Sequence, residues 1–461
     1  MVIADVMPAA TQRLEFGERR GVYIDIREVV TREAPAFDAD AVATLEALDL
    51  VYRSLCSAMY NYVPQSGHPG GSISSGRFVQ TLLFETLEYD LSDPDRRDAD
   101  IISYAAGHKA LGLYALWAIR NEIARIAAPE LLPAREAKQL RLEDLLGFRR
   151  NPVTSTRLFR AHRAKALDGH PTPATPFVRL STGASGVGLP ASLGLAWGAA
   201  DTFGDDAPRV HIIEGEGGLT PGRVAEALAA AGTASLDNVI LHIDWNQASI
   251  DSNRVCRDGS TPGDYVQWTP MELAYLHDWN VIYVPDGFNF QQIGAAQRLA
   301  LTLDNGQPVA IVYRTVKGWR YGIEGRASHG AGHALCSAGF YEAVAGLVEG
   351  RAPAFPRCHG DVQRCAGGAN PGIVEQCYWE ALEVVRHYLE EHRPLVDTLA
   401  GKLRSARTRL DERGRKPRSG APDLAPAFAA ADAAARSPDP GVAMQPGTRL
   451  TLREALGSVL N

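Results

Sequence analysis

The chain lacks any uninterrupted apolar run near the roughly 18–20 residues that cross a bilayer. Its first twenty residues (MVIADVMPAATQRLEFGERR) carry acidic side chains and no apolar segment of the signal-peptide kind. Neither membrane association nor export is therefore expected. Cysteine is scarce as well, with 6 in 461 residues, scattered as Cys56, Cys256, Cys336, Cys358, Cys365 and Cys377. That usage suits reduced thiols in a cytoplasm and not a disulfide framework. Cys358, His359 and Cys365 match no standard zinc spacing and are read as ordinary residues. An excess of base is missing too: 47 basic residues face 54 acidic ones, a net charge of −7. No overall basic field exists to draw nucleic acid. What remains, 45% hydrophobic and 22% charged, is the composition of a soluble globular protein. The length suits two or three average domains, or one large α/β domain with an appendage, and no internal repeat is evident.

Apolar residues recur at helical spacing over 41–62 and 110–126. From about 177 the pattern changes to short apolar β-rich runs at 209–214 (RVHIIE), 238–244 (NVILHID), 280–284 (NVIYV) and 308–314 (PVAIVYR). Helical segments separate them: the Ala-rich 223–233, a stretch opened by Pro270 and ending near 278, and 289–304. Strands alternating with helices predict a doubly wound parallel sheet covered on both faces. Ligands of such sheets sit at the carboxyl ends of the strands. The glycine cluster 215–218 and the loop 245–253 both fall there. Residues 374–411 read as one long helix ending in a basic stretch (Lys402, Arg404, Arg407, Arg409). Residues 415–447 are rich in Pro, Ala and Gly, which is linker composition.

The chemistry concentrates at two strand ends. Gly215-Glu216-Gly217 closes one strand, and Asn246 closes the next, 30 residues later. A diphosphate needs a hard cation with oxygen ligands, and glycines that let backbone N–H groups approach it near a helix N-terminus. Glu216, the Asn246 amide oxygen and the Ala248 carbonyl offer three such ligands. Gly-x-Gly alone is common to tight strand–helix turns. Four further segments add weight: Gln65-Ser-Gly-His-Pro-Gly-Gly71, Ser103-Tyr-Ala-Ala-Gly-His-Lys109, Asp168-Gly-His-Pro171 and Ser328-His-Gly-Ala331. Each places one of the chain's 12 histidines beside a glycine in a loop-like setting.

In this order, with Thr182-Gly183-Ala184-Ser185-Gly186-Val187-Gly188 and Asp244-Trp245-Asn246 between them, these segments resemble the N-terminal half of transketolase. The resemblance covers roughly residues 45–335. It implies the thiamine diphosphate-binding fold, an α/β sheet with helices on both faces, plus a helical C-terminal extension. It implies that Glu216, Asn246 and the Ala248 carbonyl hold Mg²⁺. His108, Gly215, Gly217 and His329 would contact the diphosphate, and Gly183 with Ser185 the rest of the cofactor. His68, His170 and His329 would face the substrate and move protons, since imidazole titrates near neutrality. The carbon–carbon chemistry would be the cofactor's own.

Three departures from the family pattern qualify the resemblance. The metal aspartate is replaced by Glu216, whose extra methylene makes Ca²⁺ or Mn²⁺ an alternative to Mg²⁺. Pro221 stands where the family commonly has a glutamate. The stretch between 132 and 167 is long and basic (Arg149, Arg150, Arg157, Arg160, Arg163), read as a solvated surface loop, with a lid or substrate-phosphate contact as the sharper reading.

The expected organisation is a diphosphate-binding domain over 1–340, a helical extension over 341–414, and a linker over 415–461 that ends where a pyrimidine-binding domain would begin. A separate chain would then supply that domain and its activating glutamate, in an α₂β₂ assembly. The function expected is transfer of a two-carbon ketol unit from a ketose, a sugar phosphate, to an acceptor. The alternatives are an E1-like component of a 2-oxo acid dehydrogenase system, delivering the unit to a lipoyl or carrier-protein thiol, and a non-catalytic scaffold.

Overall fold

Six runs rich in β-branched residues pair as one wholly parallel sheet: β1 (Tyr23–Asp25), β2 (Ile101–Tyr104), β3 (Val210–Gly215), β4 (Val239–Trp245), β5 (Asn280–Val284) and β6 (Val309–Arg314), in the order β1-β5-β6-β4-β3-β2. This computed structural model describes residues 17–63, 69–149, 156–327, 332–349, 354–357 and 371–423, with 425, 426 and 429. Among the described residues twelve α-helices accompany the sheet: α1 (Ile26–Val30), α2 (Ala39–Tyr62), α3 (Gly70–Thr81), α4 (Ala110–Ala127), α5 (Arg157–Ala161), α6 (Gly188–Phe203), α7 (Gly222–Thr233), α8 (Pro270–Leu276), α9 (Phe290–Ala300), α10 (Ala338–Val348), α11 (Pro371–Glu391) and α12 (Arg393–Arg413). The expected doubly wound sheet is therefore present, as are its four expected central strands. The sequence pattern does not reveal β1 and β2, which hold only three and four residues. Runs that short carry too little period to be seen, and they exist because β5 and β3 offer them edges.

Strand alternation splits the apolar residues between two cores. Ile213, Ile240, Ile282, Ile311 and Tyr313 face the larger one, with α2, α3, α4, α9 and the C-terminal helices. Ile212, Leu241, Ile243, Val281 and Val312 face the other, with α6, α7 and α8. Both faces are covered, which is why the strands read as continuous apolar runs. Register sets Gly215 of β3 opposite Asp244 of β4, and Asp244 opposite Tyr313 of β6. The strand ends that carry the motif thus lie side by side.

Two expectations change. The helix over 374–411 is broken into α11 and α12, because Pro394 has no N–H and its ring clashes with the preceding turn; it sits instead in the first turn of α12. The basic residues near its end grip this chain. Lys402 pairs with Glu85 at 2.6 Å, Arg404 with Glu130 at 2.7 Å, and Arg413 and Arg415 both hold Glu88. The described part of the stretch after 132 is solvated only in part: Arg149, Arg157, Arg160 and Arg163 are exposed. Leu142, Leu145, Leu146 and Phe148 are fully buried in the larger core. No helix among the described residues is long and apolar enough to cross a membrane.

Candidate functional site

β3 ends in Gly215, and the chain turns through a short 3₁₀ segment (Glu216–Leu219) before α7. β4 ends one residue before Asn246. The two meet directly: the Asn246 backbone N–H donates to Glu216 Oε2 at 3.2 Å. The second carboxylate oxygen, Glu216 Oε1, is buried without a hydrogen-bond partner among the described residues. Burial first, then the negative charge of Asp244, raises the Glu216 pKa to about 8. A buried, unpaired carboxylate oxygen is an open ligand position. Asn246 Oδ1 accepts from the Ala248 N–H at 2.9 Å and keeps a second lone pair. The unpartnered Glu216 oxygen and the Asn246 amide oxygen are the kind of donors a hard divalent cation takes.

Behind this set lies a fully hydrogen-bonded anion. Asp244 has no exposed surface, and its carboxylate accepts from Ser74 Oγ (2.7 Å), Lys109 Nζ (2.7 Å), Asn246 Nδ2 (2.8 Å) and Thr315 Oγ1. The donors come from α3, the turn before α4, the end of β4 and the end of β6. Asp244 thereby fixes which way the Asn246 amide points, leaving its oxygen toward the loop. Glu214, one residue before the end of β3, is also buried, with Oε2 unpartnered among the described residues. Burial raises its pKa to about 7. Its carboxylate fills the space a Cβ on Gly218 would need.

Of the four histidine loops, those of His108 and His170 meet here. A Cβ built on Gly107 would lie 2.7 Å from the Gly183 nitrogen, and one on Gly183 would lie 3.2 Å from the His170 ring. The Gly107 and Gly183 backbones pack so closely that only glycine fits at 107. His108 faces the same cleft, 3.8 Å from a Cβ position on Gly71. The residue is exposed. The protein packed around its ring, then the ammonium groups of Lys109 and Lys317, lower its pKa to about 3. In the unliganded chain an NMR pH titration should therefore show His108 neutral from about pH 8 down to about pH 5, well above that value. A midpoint at the ordinary imidazole value would contradict this placement. His170 is half-buried, and its pKa is lowered by burial and then by Arg149, whose guanidinium lies against Gly169.

Ser185 is exposed at the loop before α6, and Gly217 has room beside it, with Ser249 Cβ at 3.8 Å from a Cβ position there. Pro221 packs under the Gly183–Gly188 loop, 2.6 Å from where a Cβ on Gly186 would sit. His68 and His329, with Ser328 through Ala331, lie outside the described residues. So do Cys358, His359, Cys365 and most of 415–461.

The known family described as "Transketolase, thiamine diphosphate binding domain" matches residues 137–340. That stretch, less than half of the chain, is similar to the transketolase thiamine diphosphate-binding domain. Transketolase-like protein 2 of Mus musculus is 30% identical over 253 residues, covering 55% of this chain and 34% of that protein. Transketolase of Homo sapiens is also 30% identical over 253 residues, with the same coverage. The chain thus spans about a third of the length of these relatives. One component of the apulose-4-phosphate transketolase of Actinobacillus succinogenes, a subunit in its own right, is 26% identical over 268 residues, and there the match covers 81% of the relative. Among solved structures, the transketolase from Leishmania mexicana has the same fold, with a TM-score of 0.54 over 85% of this chain and 49% of that one, at 21% identity.

Three buried groups of this site are not singled out by the sequence pattern: Asp244, Lys109 and Lys317. Asp244 and Lys109 stand inside the motifs but carry no role there. Lys317 follows the end of β6 directly before a glycine, which is the available signal.

Proposed function

We propose that this chain is the diphosphate-binding half of a two-component, thiamine diphosphate-dependent transketolase-like enzyme, moving a two-carbon ketol unit from a phosphorylated ketose to an acceptor. The observation that carries this reading is the convergence of His108, His170 and Gly183 on the cleft beside Glu216 and Asn246. Among the relatives, the component of an apulose-4-phosphate transketolase is matched over most of its own length, which supports a two-chain enzyme. So does the surface beside the site: Val187 and Trp197, before and on α6, are 37% and 49% exposed. An apolar surface of that kind suits a second chain.

In this reading Glu216, Asn246 and the Ala248 carbonyl would hold Mg²⁺, with Mn²⁺ or Ca²⁺ as alternatives, and the cation would supply charge to neutralise a diphosphate. Thiamine diphosphate, when bound, supplies a stabilised carbanion for carbon–carbon bond cleavage and formation. The turn at Gly215 and Gly217 brings backbone N–H groups to the diphosphate, and His108, neutral, donates one hydrogen bond to it. The Gly183 backbone and Ser185 line the aminopyrimidine side. His170 holds a substrate hydroxyl and accepts or returns its proton, a role His68 and His329 would share. Arg149, beside Gly169 and His170, would steer the substrate's phosphate. A partner chain completes the site with its activating glutamate, in an α₂β₂ complex acting in the cytoplasm.

The test is to purify the chain with its bound partner and supply xylulose 5-phosphate with an aldose acceptor, and separately pyruvate. Ketol transfer from xylulose 5-phosphate is expected, and His170→Ala should lower kcat at least about tenfold with cofactor affinity nearly unchanged. Turnover of pyruvate alone would defeat the transketolase assignment.

A further inference from the structure

The chain turns back on itself just after β4, at a residue ill suited to the turn. Gln247, between Asn246 and Ala248, has a φ of 66°. Glycine adopts that left-handed conformation freely, and Asn or Asp with help from a short side chain; glutamine has neither advantage. Such a residue persists only where its surroundings over-determine it. Here two hydrogen bonds do so. The Gln247 carbonyl accepts the Val255 N–H at 3.2 Å, and its side-chain Oε1 accepts the next one, the Cys256 N–H, at 3.0 Å. Gln247 is 8% exposed and Cys256 1%, so water competes little for either bond. The far side of this clamp is itself fixed. The Val255 carbonyl accepts from the Tyr265 and Val266 N–H groups, each at 3.2 Å. A Cβ on Gly263 would lie 2.2 Å from the Val266 oxygen and 2.6 Å from the Cys256 carbonyl carbon, so the two passes of chain touch there. Arg257 donates to the Gln267 carbonyl at 2.9 Å and pairs with Glu272 of α8. The reversal at Gln247 brings the Ala248 N–H onto Asn246 Oδ1 at 2.9 Å, and so sets how residues 246 and 248 stand relative to each other.

We infer that Gln247 is a positioning residue, whose side-chain amide locks a strained turn and so sets the Asn246 and Ala248 oxygens where a cation can take both. The inference rests on the cation reading proposed above and deepens it. Gln247 acts through the backbone on either side of it and not as a ligand. Asp244 orients the Asn246 amide from the strand side. Gln247 fixes the chain that follows.

The test titrates the full-length chain, in complex with its partner, with Mn²⁺ followed by electron paramagnetic resonance in the presence of inorganic pyrophosphate. Gln247→Leu keeps the length of the side chain and removes the acceptor; Gln247→Gly removes the acceptor and the strain together. Both should weaken Mn²⁺ binding about tenfold, the low end of what partners outside a coordination shell contribute. Gln247→Gly should melt close to wild type, because relief of strain offsets the lost hydrogen bond, which keeps the comparison clear of misfolding. Without ligand, hydrogen exchange in both variants should quicken at the Cys256 amide, whose acceptor is gone, and at the Ala248 amide, whose place depends on the turn. A role confined to the fold would quicken Cys256 alone and leave Mn²⁺ affinity unchanged. Wild-type Mn²⁺ affinity in Gln247→Gly, or unchanged exchange at Ala248, overturns the inference and leaves the cation reading standing. If wild type itself takes up no Mn²⁺, the cation reading falls, and the inference with it.

Discussion

Lys109→Met should lower the folding free energy of this chain by about 3–5 kcal/mol, because it removes one partner of a buried ion pair and strands the other. Asp244 has no exposed surface, and Lys109 only 1%. After the substitution Asp244 keeps its bonds from Ser74, Asn246 and Thr315, but its charge has no counter-ion at contact distance. The effect should be electrostatic and not one of volume, since methionine fills nearly the same space. The double variant Lys109→Met/Asp244→Asn should therefore recover part of the loss, because a neutral amide replaces the orphaned anion. Urea unfolding followed by tryptophan fluorescence gives the comparison. A single variant as stable as wild type would show that the pair is not what holds the strand ends together. The same substitution should also disorder the Asn246 amide, which Asp244 orients.

Divalent metal should bind the site more tightly as pH rises, by close to tenfold per unit between about pH 6 and pH 8, and level off above. The cause is Glu216, whose pKa is raised to about 8 by burial and by the charge of Asp244. Below that pH the unliganded site holds a proton on Glu216, and a metal must displace it. The sign for stability is the reverse. The folded pKa lies above the unfolded value near 4.5, so the folded chain binds more protons across that interval. The stability contributed by neutral Glu216 is fully present below about pH 4.5 and is lost as pH rises toward 8. Bound metal should abolish that decline. Titration calorimetry in buffers of different ionisation enthalpy measures the released proton directly. Glu216→Gln should flatten the pH dependence and lower metal affinity by about 100-fold, since even groups outside the coordination shell are worth about 10–100-fold. A steep pH dependence retained in Glu216→Gln would place the metal elsewhere.

The sequence by itself determined the class of the fold and where on it to look. Four of the six strands and most of the long helices follow from period and length, because a fully covered parallel sheet writes itself as apolar runs between amphipathic ones. Motif order also named Glu216, Asn246, His108, His170 and Gly183, since strand-end turns need glycine and a diphosphate needs oxygen ligands and donors. Tertiary structure alone decided what those residues meet. Lys109, Asp244 and Lys317 lie 135 and 73 residues apart along the chain, and no local period links them. Only the β4–β6 and β3–β4 pairings bring their ends into one low-dielectric pocket, where a charge must be answered by another. The C-terminal basic stretch shows the same limit: its charges are plain in the sequence, but only the fold turns Glu88, Glu130 and Glu85 toward Arg415, Arg404 and Lys402. Ion pairing between distant residues is a property of the packed chain. A single sequence records the charges and leaves their partners to the fold.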